Sequence, residues 1–148
     1  MGLLDSDSEE PRSKLRRYVI SGLALVLLVS FSVWYLLRFY GEKKTAEQFL
    51  DALVAGDTQR AYQIWKPQGS YSYKDFLDDW GPTGYYGPVK SYHIEAALKP
   101  RDASGVIVVV ELSPYQPFPT DNDPVKNRRT KEVRIWVEHK DKSLSFPP

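Results

Sequence analysis

Residues 46–65 read AEQFLDALVAGDTQRAYQIW, two helices with the punctuation between them. Ala46, Phe49, Leu50, Leu53 and Val54 recur at i, i+3, i+4, i+7 and i+8, the spacing of one apolar stripe on an amphipathic helix. Gly56 stands where a helix is commonly closed by a left-handed residue, and Asp57 can accept the first free N–H groups of the next helix. That second helix is short: Ala61, Ile64 and Trp65 share a face, and Pro67 ends it. Gly69–Ser70 breaks the chain again. Ser72 with Asp75 three residues on then makes a variant capping box ahead of a third stripe, Tyr73, Phe76, Leu77 and Trp80.

Downstream the period changes from 3.6 to 2. Gly81-Pro82-Thr83-Gly84-Tyr85-Tyr86-Gly87-Pro88 is a turn-rich loop that cannot be helix. Val89–Leu98 alternates, with Tyr92, Ile94, Ala96 and Leu98 assigned to one face and Ser91, His93 and Glu95 to the other. Pro100–Gly105 turns the chain, and Val106–Leu112 is a continuous β-branched run suited to a central strand. Ser113–Pro124 carries four prolines and reads as an extended loop. Lys131–His139 alternates with Val133, Ile135 and Val137 inward, and Leu144 with Phe146 supplies a short last strand. Helices first and strands after is the grammar of an α+β domain: three helices on one face of a curved antiparallel sheet of about four strands.

Upstream lies YVISGLALVLLVSFSVWYLLRFY, residues 18–40. It is uncharged from Tyr18 to Leu37, and at 1.5 Å per helical residue that stretch reaches about 30 Å, the thickness of a bilayer's hydrocarbon core. A basic cluster including Arg16 and Arg17 precedes it. Trp34, Tyr35, Phe39 and Tyr40 supply an aromatic girdle, with Arg38 placed to snorkel. A cleaved signal peptide has a shorter apolar core, about 7–15 residues, and a small-residue cleavage site; bulky aromatics stand here instead. The expected organisation is a polar tail over 1–17, a transmembrane helix over 18–40 and an α+β domain over 41–148. The basic residues Arg12, Lys14, Arg16 and Arg17 favour a cytoplasmic N-terminus and an extracytoplasmic domain.

Composition narrows the function classes. The 148 residues hold no cysteine, which removes disulfides, thiolate metal sites and lipid attachment through a cysteine. From Gly41 onward, fifteen Lys and Arg balance fifteen Asp and Glu. A nucleic-acid-binding domain is normally basic, so nucleic acid is not an expected partner.

The opening AEQFLDALVAGDTQRAYQIW, continued by YKDFLDDWG at 73–81 and the strands after it, resembles the nuclear-transport-factor-2-like (cystatin-like cone) superfamily over roughly residues 42–146. Many small bacterial membrane-attached members share that opening. The resemblance implies a cone-like α+β fold. It does not imply a function, because the fold hosts enzymes, binding proteins and assembly scaffolds. Enzymatic relatives place an acid and a tyrosine or histidine inside the cone, and no such motif matches here position by position.

No residue pattern carries catalysis, and no cofactor or metal is expected. Asp75, Asp78 and Asp79 lie off the apolar face of their helix and read as a solvated flank. His93 and His139 fall on different strands without a ligand pattern. Asn127–Lys131 (NRRTK) reads as a solvated basic turn before a strand, with contact to anionic lipid or to acidic protein as the alternatives. Two loops are better candidates. Tyr85 and Tyr86 in the Gly81–Pro88 loop, and Tyr115 and Phe118 among the prolines of 113–124, offer aromatic contact area for protein recognition; otherwise they cap the mouth of the cone. The expected function is that of a non-enzymatic, single-pass accessory or assembly subunit of a larger membrane complex. A second reading is a ligand-binding or enzymatic cone with Tyr62, Tyr92 or His93 at its mouth. A third is a homo-oligomeric scaffold pairing through the open sheet face.

Overall fold

The computed structural model describes residues 11–65 and 69–148. The chain divides into two compact units, one ending at Arg38 and one beginning at Phe39. In the first, helix α1 runs Pro11–Leu37. It starts seven residues before the apolar stretch, so residues 11–17 of the polar tail are helical. Proline is well suited to a first helical position, and the Leu, Lys and Arg that follow are good helix formers. Residues 1–10 lie outside the described part. Among the described residues one helical stretch is long and apolar enough to cross a membrane, and none of its apolar window is buried. Ser32 Oγ donates to Leu28 O at 2.8 Å, so this hydroxyl is satisfied inside the helix. The helix closes at Leu37, three residues before the expected end; Phe39, expected in the aromatic girdle, instead takes a left-handed conformation at φ 61° and packs against the core of the second unit.

The second unit is α+β. Helices α2 (Tyr40–Val54), α3 (Thr58–Trp65) and α4 (Tyr73–Trp80) precede β1 (Ser91–Leu98) and β2 (Gly105–Ser113); a one-turn helix α5 (Pro124–Asn127) precedes β3 (Lys131–Glu138) and β4 (Leu144–Ser145). The strands form an open antiparallel sheet in the order β1-β2-β3-β4. Gly56, at φ +76°, closes α2 with the two backbone bonds of a Schellman motif, Gly56 N to Leu53 O and Asp57 N to Ala52 O. Asp57 Oδ1 accepts from Arg60 N and caps α3. The Ser72–Asp75 capping box opens α4. The expectation that Pro67 ends α3 falls on residues 66–68, outside the described part. Helix α5 was not expected; Asp123 caps it through Lys126 N.

The stripe Ala46, Phe49, Leu50 and Leu53 is buried, and Ala52 joins it. Phe49 sits at the centre of an aromatic cluster, its ring centroid 5.0 Å from Trp65, 6.1 Å from Phe76 and 5.0 Å from Trp80. Opposite stand Val106, Val108, Val110 and Leu112 of β2 with Val133, Ile135 and Val137 of β3. Each large apolar side chain buried in this way contributes about 1.5–3 kcal/mol.

Strand β1 departs from simple alternation. Its register with β2 shifts between Ile94 and Ala96, leaving Glu95 as the extra residue of a bulge. The faces swap at that point. Tyr92, Ile94 and then Ala97 pack on the core, while Ala96 and Leu98, expected inside, lie opposite Val109 and Ile107 on the outer face. That outer face also carries Trp136, whose ring lies so close to Gly105 that a Cβ there would fall 2.6 Å from it.

Candidate functional site

The interface residues expected at the ends of the apolar stretch sit as follows. Arg16 and Arg17 are on the first turns of α1 and are exposed; Trp34 and Tyr35 are on its last turns. The Arg38 guanidinium lies 5.5 Å from the Trp34 ring, a cation–π distance. Tyr40 opens α2 instead of closing α1, with the Lys44 amine 5.8 Å from its ring.

The Gly81–Pro88 loop is fixed by its own backbone. Gly81 N donates to Leu77 O, Tyr85 N to Asp78 O and Tyr86 N to Asp79 O, so the loop doubles back on the carbonyl end of α4. That approach leaves no room for side chains: a Cβ on Gly87 would stand 1.8 Å from Gly81 O. The two tyrosines, whose rings meet edge-on at 4.8 Å, differ in exposure as a result. Tyr86 turns inward and stacks on Trp80 at 4.8 Å, beside Phe146. Tyr85 turns outward and is 67 % exposed. The Lys131 amine lies 4.6 Å from the Tyr85 ring and donates to the Tyr85 carbonyl.

Tyr115 and Phe118 are half-buried and do not stand clear of the surface. Ser91 Oγ donates to Tyr115 O at 2.6 Å, and Tyr115 N donates to Ser113 Oγ at 3.1 Å. The Lys126 amine approaches the Tyr115 ring at 5.7 Å, and Phe118 rests 6.0 Å from the His93 ring. Of the four candidate aromatics, Tyr85 alone is presented freely.

Between these two loops lies a groove of about 360 Å³. Its apolar wall includes Tyr86, Pro88, Leu112 and Pro114; its other wall is Arg128, Arg129 and Lys131, the basic turn singled out in the sequence. A second hollow, about 400 Å³, is bordered by Thr45, Gln48, Arg60, Gln63, Ile64 and Lys142; both charged residues are cations, and Lys142 is already paired with Glu42.

The remaining polar candidates have local structural work. Asp75 Oδ2 accepts from Ser72 N and Oγ, and these hydrogen bonds hold its carboxyl below the usual range. Asp79 accepts from the Tyr71 hydroxyl at 2.6 Å; burial first, and then this carboxylate, push the Tyr71 phenol up. Tyr92 donates to Asp51 at 2.7 Å, and its phenol is raised by burial and by that bond. His93, the next residue on β1, is on the opposite face, and the Tyr62 hydroxyl donates to Tyr71 O at 3.2 Å. These three do not form a common mouth. Among the described residues no group of three His, Asp or Glu side chains has metal-ligand proximity.

One cluster escaped the sequence reading. Glu42, 3 % exposed in the first turn of α2, receives both His139 Nδ1 and Lys142 Nζ on one carboxylate oxygen, the latter at 3.0 Å. Lys142 also donates to His139 O at 2.9 Å and crosses directly over Gly41. Burial works to raise the Glu42 carboxyl, but the hydrogen bonds from His139 and Lys142 prevail and hold it below its ordinary value. Partners 97 and 100 residues away leave no trace in local spacing.

Compared with protein-family models, with curated proteins and with solved structures, the chain finds no match.

Proposed function

We propose that this chain is a single-pass membrane protein without enzymatic activity, and that its cone-like domain, of the nuclear-transport-factor-2-like kind, binds protein as an accessory or assembly subunit of a larger membrane complex. The observation that carries the reading is α1. Its apolar residues from Leu23 to Leu37 are about half exposed or more, and apolar surface on that scale is stable only in lipid or against other protein. The basic cluster before it argues for a cytoplasmic N-terminus and an extracytoplasmic domain.

The domain itself favours binding over catalysis. A ligand-binding cone needs a hollow between helices and sheet, and here Phe49, Trp65, Phe76 and Trp80 fill that space. The grooves are on the outside, beside Tyr85 held out on a rigid loop.

The test is extraction of native membranes in mild detergent, native-gel separation, and mass spectrometry of whatever migrates with the chain. Stoichiometric migration with a larger complex is expected. Migration alone and monodisperse overturns the reading; a discrete homo-oligomer moves it to the scaffold alternative.

A further inference from the structure

We infer that the groove between the Tyr85–Pro88 turn and residues Arg128–Lys131 is a docking site for an acidic, partly apolar segment of a partner protein. The inference rests on the adaptor reading above and names the surface that performs it.

Charge comes first. Arg128 and Arg129 follow the C-terminal end of α5, both exposed, and neither has an ion pair among the described residues. Lys131 is two residues on, and its amine is held by the Tyr85 ring and carbonyl and by no carboxylate. Of the acids close by, Glu132 pairs with Arg134, Asp123 with Lys126 and Asp79 with the Tyr71 hydroxyl, while Glu111 and Asp121 do not line the groove. Three cations thus line one groove in a domain that is neutral as a whole, and among the described residues no acid lines that groove. An incoming carboxylate meets two guanidinium forks able to bind it bidentately.

Shape and polarity then select among anions. The facing wall is Tyr86, Pro88, Leu112 and Pro114, and exposed Tyr85 stands at the rim. A free phosphate or a lipid headgroup would satisfy the cations and leave this wall unused. A peptide offers both parts, carboxylates for the arginines and an apolar side chain for the Tyr86–Leu112 wall. The wall is pre-formed, because the Tyr86 turn is bonded to α4 and lacks room to rearrange. Lys131 ties the two parts together by touching Tyr85 while lining the groove.

The test uses the full-length chain in a non-ionic detergent and a dye-labelled peptide alternating Glu and Leu. The expected result is salt-sensitive binding, weakened at least tenfold in Arg128→Gln/Arg129→Gln and unchanged in Arg101→Gln/Lys140→Gln, which removes equal charge at the opposite end of the sheet. Reversal, Arg128→Glu/Arg129→Glu, should prefer a Lys-Leu peptide, which shows that the variant groove is intact. Equal binding by wild type and the Arg128→Gln/Arg129→Gln variant overturns the inference. So does displacement of the peptide by inorganic phosphate, or by phosphatidylglycerol vesicles, at equal concentration of negative charge. Native-gel migration of the same Gln variant separates the two claims. Wild type in a complex and variant released supports both. Both remaining in the complex overturns the groove alone, and wild type migrating alone overturns the adaptor reading.

Discussion

Helices α1 and α2 follow one another in sequence and obey opposite rules. In α1, Leu23, Leu27 and Phe31 are all more than half exposed, and apolar residues occupy every side of the helix. In α2, Phe49 and Leu50 are fully buried, while Glu47, Gln48 and Asp51 face solvent. A one-sided stripe is the mark of a helix that closes a core, and an all-round apolar surface is the mark of one that needs an apolar medium. The difference teaches that the two units draw stability from different sources, so each should be breakable without the other.

The largest effect is expected in the core. Phe49→Ala removes the ring at the centre of the aromatic cluster and should cost about 3–5 kcal/mol, read by denaturant unfolding followed through Trp fluorescence. Retention in the membrane fraction after carbonate washing should be unchanged; loss of retention would break the comparison. The converse is Leu27→Arg, which places a charge mid-helix at an insertion penalty of about 2.5–3.5 kcal/mol. Carbonate-resistant membrane retention should fall while the denaturant midpoint of the folded fraction holds. Gly87→Ala comes next. Its Cβ would meet the Gly81 carbonyl, which is backbone and cannot yield cheaply, so a loss of about 1–3 kcal/mol is expected by the same unfolding assay.

Smaller still is the Glu42 cluster. Lys142→Ala should cost about 1–2 kcal/mol, the worth of a hydrogen bond to a buried charge discounted for the partial exposure of the lysine. The pH dependence has a definite sign. Glu42 is held below its ordinary value when folded, so its contribution is complete above the ordinary glutamate range and is lost as pH falls through the lower, folded value. The wild-type minus Glu42→Gln difference in unfolding midpoint should therefore shrink as pH falls below the ordinary glutamate range; a difference that persists undiminished there would sink this account. Smallest of all is Tyr85→Ala, expected within about 0.5 kcal/mol of wild type because the ring is mostly exposed. Any effect of that substitution belongs to partner binding and should appear as loss of co-migration without loss of stability.

What was legible in the sequence follows from how far each signal reaches along the chain. The stripe at Ala46–Val54, the Gly56–Asp57 punctuation and the Ser72–Asp75 box are settled within four or five residues, and they take the expected form. The β1 faces were half legible: Tyr92 and Ile94 point inward, but one extra residue at Glu95 reverses the parity of everything after it, and no composition signal marks a bulge. The tyrosine pair was legible as a loop and not as an arrangement. Identical neighbours differ in exposure because the turn follows the carbonyls of α4, setting Tyr86 on Trp80 and leaving Tyr85 mostly in solvent. The groove and the Glu42 cluster were least legible, since each joins residues brought together by the sheet. The basic turn 127–131 reads as a solvated segment until Leu112 and Pro88 are seen across from it.

The bulge in β1 has a consequence for life in a plane. A protein tethered to a bilayer meets its copies in two dimensions, where local concentration is high and edge-on encounters are frequent. An edge strand with a regular hydrogen-bond ladder would invite each neighbour to add its own strand and grow a ribbon along the surface. At Glu95 the pairing of β1 with β2 is interrupted by a bulge that carries an exposed carboxylate. On the proposed membrane reading, that irregularity makes β1 a poorer template for a neighbouring copy's strand.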